Sequence, residues 1–372
     1  MSSIHDYDTV NLIDEENVIR IIDQTKLPGS IEIIDLQSAQ EIWDAIYLLK
    51  VRGAPAIGVT AAMGIYLLMK QFVRDSFSAA ASDICDDERF HELRKEFSEK
   101  ASYLNSSRPT AVNLSWALKR MEKVLDNCRD GRRREVSEIL DMLQTEACAI
   151  RDEDVEVCRR IGENGLTLLK PGDGILTHCN AGRLATIRYG TATAPLYLGQ
   201  ERGYHFRVFC DETRPLLQGA RLTSFELSEA GIDCTLACDN MCASLMKSGQ
   251  IQAILVGCDR VAANGDAANK IGTSVVATVA ARYHIPFYVC APMSTIDISI
   301  ATGDDIVIEQ RKPEEVTQMW YASPMAPAGI KVYNPAFDVT DHDLITGIIT
   351  EYGILRRPYE ESIAKLFERL QA

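Results

Sequence analysis

The sequence predicts an α/β protein: a Rossmann-like parallel sheet in a C-terminal domain, preceded by a smaller, mainly helical N-terminal domain. Three observations carry this. After about residue 170, five short apolar runs (175–179, 206–210, 234–238, 253–257 and 287–290) alternate with helical segments, the pattern of a parallel sheet covered on both faces. Between about 55 and 152 the apolar spacing is mostly helical. The chain has 372 residues, 46% hydrophobic and 25% charged, which suffices for a core without disulfides or metals.

In chain order, residues 1–50 read as a capping region. Strands are expected at 18–23 and 31–36, separated by Pro28-Gly29, with a helix at 39–50. The uncharged run 53–69, bounded by Arg52 and Lys70, is 17 residues long with Pro55 near its start, so it reads as a buried helix over 55–73 and not as a membrane span. A polar insert occupies 78–88, with helices near 90–103 and 110–129 after it. Arg132-Arg133-Arg134 reads as a solvated helix face. The composition changes between 150 and 172, which divides the chain into domains 1–160 and 161–372, and Pro171-Gly172-Asp173-Gly174 turns into the first sheet strand.

Charge and cysteines narrow the function. Lys plus Arg number 39 against 53 Asp plus Glu, a net charge of −14 that argues against nucleic-acid and acidic-membrane partners. An anionic ligand would have to be met by a few placed Arg, Lys and backbone N–H groups. Asp6, Asp8, Asp14, Glu15 and Glu16 crowd the first twenty residues, with no apolar stretch to form a secretory leader. Eleven cysteines, an odd number without paired spacing, read as reduced thiols in a cytoplasmic protein. Cys234, Cys238 and Cys242 have no CxxC or partner His to support zinc.

Ligands of open parallel sheets bind outside the carboxyl ends of the strands. The segment after each predicted strand is therefore a candidate site. The first strand leads into His178-Cys179-Asn180-Ala181-Gly182. The second leads into Asp211-Glu212-Thr213-Arg214-Pro215 with Gln218-Gly219. The fourth leads into Cys258-Asp259-Arg260, Asn264-Gly265-Asp266 and Asn269-Lys270-Ile271-Gly272. Cys179 at a strand-to-helix turn would feel the positive helix end, which favours thiolate; the plainer alternative is a buried, inert thiol. Asp259, just beyond an apolar strand, is expected to be partly desolvated and so protonated enough for general-acid work, against the alternative of a helix cap or a partner for Arg260. Asn269-Lys270 is expected to open a helix near Ile271, and Gly53-Ala54-Pro55 another beside Arg52; both are anion-site patterns, although most Arg and Lys side chains are merely solvated. No GxGxxG comes after a strand, and GxxxxGK[ST], HExxH and GxSxG do not occur. His178 adjoins Cys179, but consecutive strand residues point apart, which weighs against a Cys–His hydrolase.

Five segments occur in order: 51–58 (Val-Arg-Gly-Ala-Pro-Ala-Ile-Gly), 107–114 (Ser-Arg-Pro-Thr-Ala-Val-Asn-Leu), 177–182 (Thr-His-Cys-Asn-Ala-Gly), 212–219 with Glu212-Thr213-Arg214-Pro215 and Gln218-Gly219, and 257–272. With 334–338 and 347–351, they make the chain, from about residue 18 to the Tyr359-Glu360-Glu361 tail, closely resemble the methylthioribose-1-phosphate isomerase family of methionine salvage. The resemblance implies conversion of 5-methylthioribose 1-phosphate to 5-methylthioribulose 1-phosphate, an aldose–ketose isomerisation without metal or organic cofactor. It implies Cys179 and Asp259 as the catalytic pair. It also implies substrate contacts from Arg52, Gly53, Ala54, Arg108, Gln218, Asn269 and Lys270, and a homodimer in the cytoplasm. Arg108 and Gln218 rest on the resemblance alone.

Two positions depart from that pattern. Arg183 stands where a small or apolar residue is expected and reads as a surface group or a recogniser of another sugar substituent. Cys258 stands where alanine is commoner. Sister activities on 5-deoxyribose 1-phosphate or ribose 1,5-bisphosphate therefore stay open, the latter needing a second anion site for which Arg183 or Arg188 are candidates. A rival of another class is a non-catalytic regulatory subunit of the translation-initiation exchange factor, which shares the fold and need not keep Cys179 and Asp259.

Overall fold

The computed structural model describes residues 3–77, 84–109, 111–129 and 134–371. Thr110, Arg132, Arg133 and residues 78–83 of the polar insert lie outside them. The chain forms two units: Met1–Glu156 with Leu184–Arg188, and Val157–Arg183 with Tyr189–Ala372.

The first unit opens with an antiparallel sheet of β1 (Val10–Ile13), β2 (Val18–Ile22) and β3 (Ile33–Leu36). β1 is a strand that the sequence pattern does not announce. Ser38 starts α1 (Ala39–Tyr47) with a capping box, its hydroxyl accepting the Glu41 N–H while Glu41 reaches back. Four longer helices come next: α2 (Ala54–Ser76), α3 (Asp87–Asn105), α4 (Val112–Asn127) and α5 (Val136–Leu166), the last containing the division between the units. α2 is long and apolar enough to span a membrane, yet 78% of its apolar window is buried within the structure. It is the centre of this unit's core, with Ile57, Met63 and Leu67 at most 1% exposed. α4 crosses α2 closely at Gly58, where a Cβ would lie 2.9 Å from the Asn113 carbonyl oxygen.

Residues Leu184–Arg188 belong to this unit by contact. Ile187 is fully buried in its core. The Ile187 N–H donates to the Asp154 carboxylate at 2.7 Å, and the Gln24 amide donates to the Leu184 carbonyl at 2.7 Å. Burial pushes the Asp154 carboxyl up to about 7.

The second unit is built on a sheet whose strands are β4 (Gly174–Thr177), β5 (Arg207–Asp211), β6 (Asp233–Ala237), β7 (Ala253–Val256), β10 (Phe287–Cys290), β13 (Gly347–Thr350) and β14 (Gly353–Leu355). Their spatial order is β14-β13-β10-β7-β4-β5-β6, parallel except for β14. The chain runs from β4 outward through β5 to β6, then returns to the other side of β4 with β7, so the order reverses between β4 and β7. This topology leaves a crevice at the carboxyl ends of those two strands. The helices are α6 (Ala194–Glu201), α7 (Ser224–Glu229), α8 (Cys242–Lys247), α9 (Thr273–Tyr283), α10 (Glu314–Thr317) and α11 (Tyr359–Gln371). Alternate strand residues feed two separate cores: Ile254, Val256, Val289 and Ile348 on one face, Ala253, Leu255, Cys290 and Ile349 on the other. That explains why these strands read as continuous apolar runs.

A second sheet, in the order β11-β8-β9-β12, is one that the sequence does not predict. It comprises β8 (Arg260–Ala262), β9 (Ala267–Lys270), β11 (Ile296–Asp297) and β12 (Phe337–Thr340). Asn269 and Lys270 therefore end a strand and do not open a helix; α9 begins at Thr273, after Gly272 at φ +102°. Asn264-Gly265 is the tip of the β8–β9 hairpin.

A Cβ at Gly265 (φ +91°) would lie 2.6 Å from the Tyr359 side chain, whereas at Gly231 (φ +69°) nothing lies within 4 Å. Gly231→Ala should cost about 1 kcal/mol and Gly265→Ala about 3 kcal/mol, read by denaturant unfolding; equal costs would contradict the close approach. Asp154 has a folded-state pKa above its unfolded value of 3.8, so its contribution is full below about pH 4 and is lost as pH rises to about 7. Relative to Asp154→Asn, wild-type stability should fall across that window by at most about 1.4 kcal/mol per pH unit and level off above it.

Candidate active site

The segments after β4, β5 and β9 and the end of β7 come together near Cys179, whereas Asn264-Gly265-Asp266 lies apart, a hairpin tip against Tyr359 with Asp266 bonded to Gly303 and His342. The Cys179 backbone is left-handed, φ +66°, immediately beyond β4. Two threonines hold it there: the Cys179 N–H donates to Thr213 Oγ1 at 2.8 Å, and Thr223 Oγ1 donates to the Cys179 carbonyl at 2.6 Å. Each hydroxyl has a second bond. Thr213 Oγ1 donates to the Asp211 carbonyl at 3.0 Å, and Thr223 Oγ1 accepts from the Asn180 side-chain amide at 3.0 Å. The side chain of Cys179 is 8% exposed.

The segment after β5 wraps over this turn. Asp239 accepts the N–H groups of Thr213 and Arg214, both at 2.7 Å. Gly219 then starts a π-helical turn (Gly219–Thr223) that runs into α7, and the approach is so tight that a Cβ at Gly219 would lie 1.7 Å from the Asp211 carbonyl oxygen. Gln218, just before it, is buried, and its Oε1 has no hydrogen-bond partner among the described residues.

β7 delivers Asp259. Gly257 lies against the Cys179 turn, where a Cβ would come 2.4 Å from the Ala181 methyl, so the ends of β4 and β7 are in contact. Asp259 is half-buried and its N–H donates to the Ala268 carbonyl at 2.9 Å. Cys258 points elsewhere: its thiol lies 3.4 Å from Thr295 Oγ1, and burial pushes it up to about 12.

His178 joins the turn to the end of β9. Its Nδ1 is 3.0 Å from Asp211 Oδ2 and its Nε2 2.9 Å from the Ile271 carbonyl. Asn269 is buried with its amide on Thr273 Oγ1 at 3.1 Å. Lys270 Nζ donates to the Ala336 carbonyl at 3.0 Å and lies 4.4 Å from the Phe337 ring centre.

The structure corrects two expectations. No α-helix comes directly after Cys179: a short 3-10 turn at Arg183–Ala185 is next and α6 starts only at Ala194, so the helix start expected to favour the thiolate is not there. The first amides of α9 are taken by Asp338, whose carboxylate accepts the Gly272 N–H at 2.8 Å, the Ser274 N–H at 3.2 Å and the Ser274 hydroxyl at 2.8 Å. An anion beside Lys270 would meet a carboxylate at that helix terminus, which weakens it as an anion site.

Arg183 is no surface group. It is 8% exposed, and its N–H donates to the buried Glu226 carboxylate, which packs so closely on Gly182 that a Cβ there would lie 1.5 Å from Glu226 Oε1. Arg188, in the first unit, is exposed and bonded to Asp8 at 2.6 Å. Arg52, Gly53, Ala54 and Arg108 are also in the first unit: Gly53 (φ +91°) is the N-cap of α2 and Ala54 its first residue, while Arg108 lies between α3 and α4. All four are half-buried.

His178, Asp211 and Asp239 offer metal-ligand atoms within 4.8 Å of one another, as do Asp266, Asp341 and His342. In the first group Asp239 already accepts two amides and His178 bonds Asp211. In the second, Asp266 is filled by Asn264, Gly303 and His342. Sequence reasoning names Thr213 only within its segment, without a role, and misses Thr223 and Asp239, because these roles depend on contacts between distant segments.

A profile of the Initiation factor 2 subunit family matches residues 50–357. A methylthioribose-1-phosphate isomerase of Symbiobacterium thermophilum is 60% identical over 360 residues, covering 97% of this chain and 96% of that protein. A 5-deoxyribose 1-phosphate isomerase of Clostridium botulinum is 53% identical, covering 96% and 97%. Among solved structures, 5-methylthioribose 1-phosphate isomerase of Pyrococcus horikoshii superposes with a TM-score of 0.87 at 40% identity, covering 98% of this chain and 96% of that one. A structure described as translation initiation factor eIF-2B subunit delta, from A. fulgidus, gives 0.83 at 40%, covering 97% and 99%.

The hydroxyl of Thr223 is the group on which the turn geometry leans. Thr223→Val should destabilise the protein by about 1–3 kcal/mol, because the buried Cys179 carbonyl and Asn180 amide both lose a partner. Thermal unfolding that leaves the midpoint unchanged would contradict this bonding.

Proposed function

The chain belongs to the initiation factor 2 subunit family, within its aldose–ketose isomerases, and from that premise we propose that it converts 5-methylthioribose 1-phosphate to 5-methylthioribulose 1-phosphate. Cys179 and Asp259 are the reacting pair in this proposal. The observation that carries it is the contact of the β4 and β7 ends, Gly257 against Ala181, at the point where the strand order reverses. The 60% identity to an isomerase of that name supports the substrate.

An aldose 1-phosphate is a locked acetal, so its ring does not open by itself. In the proposed reaction Asp259, as a neutral acid, protonates the ring oxygen while the C1–ring-oxygen bond breaks. Hydrogen then moves from C2 to C1, and the C2 hydroxyl loses its proton as the ketone forms, so the product is an isomer of the substrate. Cys179 serves this transfer, either as the base that takes the C2 proton or as the group that faces the developing charge during a direct hydride shift. A buried thiol beside the strand end suits both. Gln218 supplies a buried acceptor that a sugar hydroxyl would satisfy. Asn269 and Lys270 at the end of β9 bind the substrate in this proposal, and Arg52, Gly53, Ala54 and Arg108 are the further substrate contacts that the family resemblance implies. The enzyme acts without a cofactor, as a homodimer in the cytoplasm.

The Clostridium botulinum relative, at 53% identity, favours a second reading with 5-deoxyribose 1-phosphate as substrate. Turnover of 5-methylthioribose 1-phosphate, 5-deoxyribose 1-phosphate and ribose 1,5-bisphosphate, measured side by side, separates them. The methylthio sugar should be preferred, with kcat lowered about 10²–10⁴-fold in Cys179→Ser and in Asp259→Asn. Preference for another sugar would keep the mechanism and change the substrate. No turnover on any of them by folded protein would sink the isomerase and favour a regulatory binding protein. In deuterated water, deuterium at C1 of the product marks the base route and its absence the hydride shift.

A further inference from the structure

His178 has no part in the reaction as written, yet it touches three segments of the site. It is 1% exposed, and both ring nitrogens face acceptors: the Asp211 carboxylate at 3.0 Å and the Ile271 carbonyl at 2.9 Å. A neutral imidazole carries one N–H and can donate in one direction only. The carbonyl takes a proton from Nε2 whatever the state of Asp211, so what is undecided is which partner holds the proton between Nδ1 and Oδ2.

The surrounding carboxylates keep a proton on the pair, since Asp211, chiefly through burial, is itself held above its ordinary value and Asp239 raises both partners. What favours the ring is the Ile271 carbonyl, whose acceptance from Nε2 makes the imidazole more basic. From the segment after β6, Asp239 places a second carboxylate within 4.8 Å of the pair, and it is fixed there by the amides of Thr213 and Arg214. Glu212 adds a further negative charge beside Asp211. On the β9–α9 side, Asp338 caps Gly272, and Lys270 is turned to the Ala336 carbonyl and the Phe337 ring. Burial alone works against the charged imidazole. The hydrogen bond and charge of Asp211, with the charge of Asp239, outweigh it and raise the His178 pKa above its ordinary value. The ring is also gripped sterically, since a Cβ at Gly272 would lie 2.9 Å from its Cε1.

We propose that His178 is a positioning residue: a doubly protonated imidazolium that fixes the Cys179 turn to Asp211 at the end of β5 and to the Ile271 carbonyl beside Lys270. The inference rests on the proposed roles of Cys179 and Lys270. Its function is to keep the reacting thiol and the substrate-binding lysine in one register, since errors of about 1 Å in such placement cost about 100-fold in rate.

The test uses the full chain with ring-15N histidine. Both ring nitrogens of His178, assigned by their loss in His178→Gln, should still resonate as imidazolium at the top of the range from about pH 6 to about pH 7.5, across which an ordinary histidine turns neutral. A single neutral tautomer across that range overturns the proposal. In kinetics, His178→Gln and Asp211→Asn should lower kcat about 100-fold and change KM by much less. Unchanged kcat in either folded variant, or a loss confined to KM, also overturns it. Should His178→Gln not fold, Asp211→Asn and the wild-type spectrum still decide, the signal then assigned through its shift in Asp211→Asn. Full activity in Cys179→Ser is a different failure: it would remove the role of Cys179 and leave the ring spectrum unaffected.

Discussion

The left-handed backbone at Cys179 costs about 1–2 kcal/mol by itself, and a branched network holds it in place. Thr213 takes its N–H and Thr223 serves its carbonyl. Neither threonine could do so unless the chain after β5 doubled back, with Thr213 itself left-handed at φ +66° and pinned by Asp239. The dihedral at Cys179, the irregular path of 211–223 and the π-helical turn into α7 are thus one structural decision. Relaxing any of them leaves a buried N–H or carbonyl without a partner, which costs more than the strain saved.

That network needs backbones to come closer than side chains allow. At Gly182, Gly219, Gly257 and Gly272 a Cβ would lie between 1.5 and 2.9 Å from Glu226, Asp211, Ala181 and His178 respectively. These glycines lie between site residues and let the strand ends converge while the residues beside them carry the chemistry. The same economy holds in the first unit, where a Cβ on Gly53 would meet Ala185 at 2.5 Å as α2 starts. Leu184–Arg188, which continues directly from the Cys179 turn, is thereby seated on the helical core, with Ile187 fully buried.

The strong periodic signals are legible in the sequence. The five apolar runs form β4, β5, β6, β7 and β10, and the uncharged run forms α2, because long buried elements leave a record in composition. The second sheet is not legible, because β8, β9, β11 and β12 are only two to four residues long, too short for alternation to register. Asn264-Gly265 carries the signal of its hairpin, a turn dipeptide, although it also reads as a polar site segment. At the site, strand-end topology points to Cys179 and Asp259 as candidates, while Lys270 enters through an expected helix start that is in fact the end of β9. Thr213, Thr223, Asp239 and Asp338 are out of reach because each acts on a residue far away in sequence. His178 and Cys179 both lie beyond β4, Cys179 in a left-handed turn, so the strand alternation expected of them does not apply; both ring nitrogens of His178 face Asp211 and Ile271.

Charge imposes the last constraint. A chain of net charge −14 presents a repulsive field to a sugar phosphate, so long-range attraction cannot gather the proposed substrate. The start of α9 carries the Asp338 carboxylate on its Gly272 and Ser274 amides. Among the described cations of the second unit, Lys270 is half-buried at the end of β9 and Arg183 is buried against Glu226. Recognition must therefore rest on short contacts in a partly desolvated place, where a single cation counts for more than it does in water. Such an arrangement tolerates no slack, because a cation displaced by an ångström is no longer backed by a favourable field. The His178 bridge between the thiol turn and the Lys270 strand supplies that rigidity where the overall charge supplies none.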